Sequence, residues 1–62
     1  MWNFLVEITT EGSPIEGEEF FVQASNIYEA DDVVAQYFAG EKYCYHGRFT
    51  DEEAEAMGLD PY

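Results

Sequence analysis

From Trp2 to Thr9 the chain alternates: Trp2, Phe4, Val6 and Ile8 fall on one side, and Asn3, Leu5, Glu7 and Thr9 on the other. A period of two is the mark of a half-buried strand, whose apolar side must be covered. Glu18 to Ala24 repeats the pattern, with Phe20, Val22 and Ala24 on one face and Glu19, Phe21 and Gln23 on the other. It predicts a hairpin partner for the first strand. Between the two, Thr10 to Gly17 contains Gly12, Ser13, Pro14 and Gly17, a turn-rich connection longer than a tight hairpin and expected to be mobile.

Asn26 followed by Glu29 has the spacing of a capping box, so a helix is expected to begin at Ile27, with the Glu29 carboxylate reaching back to the Asn26 amide. Ile27, Ala30, Val34, Tyr37 and Phe38 form its apolar stripe, and Glu29, Asp32 and Gln36 point away. Gly40 is the expected stop. Tyr43 to Phe49 then reads as a third strand, with Tyr43, Tyr45 and Phe49 on one face, Cys44, His46 and Arg48 on the other, and Gly47 as a candidate bulge. Thr50 and Glu53 repeat the capping box ahead of a short last helix, whose first turn holds Asp51, Glu52 and Glu53 and whose end is marked by Gly58, with Leu59 after it.

The expected fold is therefore α+β in the order β-β-α-β-α: a three-stranded antiparallel sheet of order 2-1-3, reached by a right-handed crossover, with one helix packed on one face and a short C-terminal helix. The covered face should carry Trp2, Phe4, Val6, Phe20, Val22, Tyr43 and Tyr45 against Ile27, Val34, Tyr37 and Phe38. Residues 1–62 make one domain. A chain of this size buries only about 60% of the surface it exposes when unfolded, too little to build a deep catalytic cleft.

Charge bears most directly on function. Fourteen carboxylates face two cationic side chains, Lys42 and Arg48, for a formal charge of −12. Disorder is not expected, because the chain is 47% hydrophobic and 18% aromatic. One-signed charge destabilises a compact state by self-repulsion, so a small domain that keeps it gains something by presenting it to a partner. The fitting partner is a basic surface, and basic surfaces commonly serve nucleic acid phosphates. The plainer reading is a domain kept monomeric and in solution by its charge. Direct nucleic-acid binding is excluded by the charge balance. The apolar start is far shorter than the roughly 20 residues of a membrane span and lacks a basic leader, so neither a membrane segment nor a signal peptide is expected. Cys44 is the only cysteine, which excludes an internal disulfide and suits a reducing cytoplasm.

No motif in the chain calls for catalysis. Cys44 and His46 share a strand face and invite a thiolate–imidazole pair or half of a metal site. The first would need an orienting group and oxyanion donors, and a closed zinc site needs four ligands, so the expectation is a half-buried thiol beside a surface imidazole. No calcium-loop spacing and no glycine-rich phosphate loop is present, and no cofactor is expected. The acids are more telling in their arrangement. Residues four apart on a helix stand about 6 Å apart, and alternate strand residues about 6.6 Å apart. Both are close to twice the roughly 3.4 Å per-strand phosphate rise. Three groups stand out: Glu11, Glu16 and Glu18 on the hairpin loop; Glu29, Asp31 and Asp32 on the first helix; and Asp51, Glu52, Glu53 and Glu55 on the last. Leu5 and Phe21 lie opposite the expected core. They either form an apolar anchor rimmed by Glu7, Glu19, Gln23 and His46, or are buried by a last helix that folds over them with Met57 and Leu59.

In size and charge the chain resembles the small acidic inhibitors made by bacteriophages, among them DNA-mimic and anti-CRISPR proteins. In layout, the run from strand Phe20-Phe21-Val22-Gln23-Ala24 into helix Tyr28-Glu29-Ala30-Asp31-Asp32-Val33-Val34-Ala35-Gln36-Tyr37-Phe38 is similar to the T7-type phage inhibitor of host RNA polymerase. The resemblance implies inhibition without catalysis, by occupying a host protein's surface. The expected target is a basic nucleic-acid-binding surface in the bacterial cytoplasm, a CRISPR effector first and RNA polymerase second, met by a monomer or weak dimer. The competing class is a small assembly protein that self-associates through an open sheet face.

Overall fold

A computed structural model describes residues 1–58. Five elements follow one another: β1 (Trp2–Ile8), β2 (Glu19–Ala24), α1 (Ile27–Tyr37), β3 (Tyr43–Phe49) and α2 (Asp51–Met57). The sheet is antiparallel in the order β2-β1-β3, as the alternation predicts. Trp2 pairs with Ala24 and Glu7 with Glu19 on one side of β1, while Asn3 pairs with Phe49 and Ile8 with Tyr43 on the other. The ends of β2 and β3 thus meet the start of β1, and both helices set out from that same end of the sheet.

The hairpin loop is more ordered than its composition suggests. Its backbone closes successive turns, Ser13 N to Thr10 O and Glu16 N to Ser13 O, and Gly17 N returns to Ile8 O at 2.9 Å. Thr10 Oγ1 accepts from Lys42 N at 2.6 Å, and Ser13 Oγ donates to Glu41 Oε1 at 3.0 Å, which bonds the loop to the connection after α1.

Asn26 caps α1 as expected, its side chain accepting from Glu29 N at 3.0 Å. The Glu29 carboxylate reaches back one residue further than the capping box requires, to Ser25 N at 3.0 Å rather than to Asn26 N. The helix ends at Tyr37, before the expected stop. Gly40 instead occupies the following turn at φ +85°, where Glu41 N donates to Phe38 O, a conformation that favours glycine. The core beneath α1 contains Phe4, Val6, Ile8, Phe20, Val22, Ala24, Ala30 and Val34, with Val33 and Phe38 packed against it. Phe20 and Phe38 stack at 4.5 Å between centroids. Two members of the expected stripe stay outside. Ile27 and Tyr37, the first and last residues of the helix, are exposed.

The second face is built by a bulge. Register along β3 shifts between the partners of Phe4 and Val6, so that His46 and Gly47 together span one position of β1. Gly47 takes φ +117°, which side-chain-bearing residues rarely adopt. One extra residue reverses the facing of everything after it. Phe49, expected beside Tyr43 and Tyr45, turns to the other face and meets Phe21 edge-on at 5.8 Å. Arg48 turns the opposite way and lies over the Trp2 ring at 4.3 Å. Ala54 of α2 joins Leu5, Phe21 and Phe49 in a second apolar cluster.

A Cβ on residue 47 would meet only the Phe49 ring, at an ordinary 3.8 Å, so backbone strain is the main penalty there. Gly47→Ala should lower stability by about 1–3 kcal/mol, and Phe21→Ala, at a side chain with no exposed surface, by about 3–5 kcal/mol. Urea midpoints measure both. A Gly47→Ala protein as stable as the parent would remove the bulge from the account.

Candidate partner-binding surface

The carboxylates singled out from the sequence divide by what their oxygens do. Thr50 and Glu53 form a complete capping box, Thr50 Oγ1 accepting from Glu53 N at 3.2 Å and Glu53 Oε1 from Thr50 N at 3.0 Å. Asp51 accepts from Asn3 Nδ2 at 2.7 Å, and the same amide donates to Phe49 O. Asn3 is only 1% exposed, so Asp51 satisfies a polar group that burial would otherwise leave costly. That bond fixes α2 on the second face. Asp31 is half-buried, and its Oδ1 accepts from Tyr43 at 3.0 Å and Tyr45 at 2.5 Å, joining α1 to β3. With the Glu29 cap, four of the seven expected contact acids hold the fold together.

Asp32, Glu52 and Glu55 differ from these. All three are exposed, and no hydrogen bond or ion pair engages their carboxylates among the described residues. The capping spacing marks Glu29 and Glu53 in the sequence, but nothing there marks Asp31 and Asp51, because their partners Tyr43, Tyr45 and Asn3 come from other elements.

Leu5 and Phe21 do not serve as an exposed anchor. Phe49 and Ala54 cover them, leaving 6% and 0% of their surfaces accessible. The cover differs from the one expected of Met57, which is itself exposed. Leu59, the other expected cover, lies outside the described residues. The apolar surface on offer is on α1, where Tyr28 is 79% exposed, beside Glu29 and one helical turn from Asp32. Tyr28 lies outside the predicted stripe of Ile27, Ala30, Val34, Tyr37 and Phe38, and nothing in its spacing marks a contact residue.

Neither cation neutralises this surface. Among the described residues His46 Nε2 meets Glu7 Oε1 at 2.5 Å, Arg48 lies over the Trp2 ring, and Lys42 meets no carboxylate. The acids lie in two zones. The first turns of both helices bring Glu29 and Asp51 to Glu53 to one end of the sheet, from opposite faces, while Glu11, Glu16 and Glu18 occupy the hairpin loop at the other end. No helix among the described residues is long and apolar enough to cross a membrane.

Comparison with protein-family models, curated proteins and solved structures finds no match.

Burial raises the Tyr43 and Tyr45 phenols above the ordinary value of 10.0, Tyr45 far above it, and the hydrogen bond to the Asp31 carboxylate and its charge add to the effect. Since the folded state holds these phenols neutral, their contribution is complete below pH 10 and declines as pH rises beyond it. Ultraviolet titration of the five tyrosines should show two ionising late, together with unfolding. In Asp31→Asn the late phase should move toward pH 10, and in Asp32→Asn it should stay. Identical alkaline curves for both variants would separate Asp31 from the phenols.

Proposed function

We propose that this protein is a non-catalytic inhibitor of phage type that occupies a positively charged, nucleic-acid-binding surface of a bacterial host complex. A CRISPR effector is the first choice of target and RNA polymerase the second. The observation that carries the reading is the absence, among the described residues, of any lysine or arginine paired with a carboxylate. Part of the acid is hydrogen-bonded within the fold, but no cationic side chain offsets it, so the net negative charge is left for a partner to neutralise. The molecule's longest dimension, 33 Å, is close to one duplex turn of about 34 Å, which suits a groove shaped for nucleic acid.

Acids at the shared helix end would meet arginines and lysines lining both walls of such a groove. Tyr28 takes the place of the apolar anchor expected at Leu5 or Phe21, since tyrosines are favoured at interface centres. The assembly reading has less to support it, because Leu5 and Phe21, the side chains it would bury, are already covered by Phe49 and Ala54.

Association with a CRISPR effector and with RNA polymerase, followed by surface-immobilised kinetics, tests this. Charge complementarity acts mainly on encounter, so the association rate should fall steeply from low to high salt. Asp32→Lys and Glu55→Lys remove no bond of the fold and should slow association about tenfold together, while Tyr28→Ala should chiefly speed dissociation. Binding unchanged by salt and by both reversals would end the proposal.

A further inference from the structure

The part of the second face that α2 leaves uncovered brings three metal-binding side chains together. Glu7 of β1 pairs in register with Cys44 of β3, and His46, the first residue of the bulge, follows close by. His46 Nε2 is aimed between its neighbours, 2.5 Å from Glu7 Oε1 and 3.6 Å from Cys44 Sγ, and all three donor atoms lie within 4.8 Å of one another. The sequence displays only Cys44 and His46. Glu7, thirty-nine residues from His46, joins them solely through strand pairing.

We propose that Glu7, Cys44 and His46 form a binding site for a zinc ion, with the fourth position open to solvent. Thiolate, imidazole and carboxylate are the donors zinc accepts, at about 2.3 Å for sulfur and about 2.0–2.2 Å for nitrogen and oxygen. A tetrahedron with those bonds has a sulfur-to-nitrogen edge of about 3.6 Å, the separation already present. Its nitrogen-to-oxygen edge is about 3.3 Å and its sulfur-to-oxygen edge about 3.6 Å, so Glu7 opens its contact with His46 by less than about 1 Å and draws toward Cys44 from a separation within 4.8 Å. The thiolate favours zinc over calcium or magnesium, which prefer oxygen alone. Electrostatics act in the same direction. Glu19 of β2 is paired directly opposite Glu7, placing two like charges side by side, and the whole chain carries −12. A divalent cation relieves that repulsion. Binding releases the thiol proton and breaks the His46–Glu7 contact, replacing it with three bonds that join β1 to β3 where no helix covers the sheet. The site stands independently of the inhibitor reading.

Cobalt(II) is the probe, added to the reduced, chelator-treated full chain. One equivalent should produce the visible bands of tetrahedral cobalt and a thiolate-to-cobalt charge-transfer band in the near ultraviolet, both abolished by zinc. Cys44→Ser should remove the charge-transfer band, and His46→Ala or Glu7→Gln should weaken binding at least tenfold. Zinc at about a hundredfold excess over its Kd should raise Tm on the order of 10 °C in the parent and not in Cys44→Ser. The cobalt spectrum of the parent does not depend on how well any variant folds. A six-coordinate spectrum without a thiolate band, or a rise in Tm that calcium reproduces and Cys44→Ser retains, would assign the metal to scattered surface carboxylates and overturn the site.

Discussion

The central strand β1 is buried on both sides, and everything else is arranged around that constraint. Phe4, Val6 and Ile8 are sealed beneath α1, while Asn3 and Leu5 are sealed on the opposite face. A three-stranded sheet of this length cannot cover both faces with one helix. The solution is economical: the bulge at Gly47 turns Phe49 across the sheet, and the seven residues of α2 complete the second layer through Ala54 alone. Two small clusters, one on each face, replace one larger core.

The architecture was legible because its signals are local. Alternation in β1 and β2 and the Thr50–Glu53 pair each announce an element within a few residues, and the order β2-β1-β3 follows from how such elements connect. What stayed hidden depended on register. Gly47 is visible as a candidate bulge, but whether it reverses the faces of Arg48 and Phe49 is decided by pairing with β1. The same holds for the candidate contact surface. Asp31 and Asp32 are adjacent and look alike in sequence, yet a turn of 100° along the helix directs one to two phenols and the other to solvent. Leu5 and Phe21 carry no mark that tells a bare sheet face from one covered by a helix fifty residues later.

The acids thus do two jobs that composition cannot separate. Glu29, Asp31, Asp51 and Glu53 satisfy amides and phenols of the chain itself, and Asp32, Glu52 and Glu55 extend outward without such partners. An excess of anions is less destabilising when part of it lies at helix starts, where the backbone amides carry partial positive charge. That accounts for how so small a core tolerates so lopsided a charge.

Because α1 and α2 both leave from the same end of the sheet, their peptide dipoles point their positive poles in one direction. The negative charge there is therefore anchored by the backbone, and exchanging one of these acids for lysine loosens the helix that carries it. At the hairpin end no such restraint operates on Glu11 or Glu18. Sequence drift has room at one pole of the molecule and little at the other, so the pole fixed by folding is the one a recognising surface could depend on.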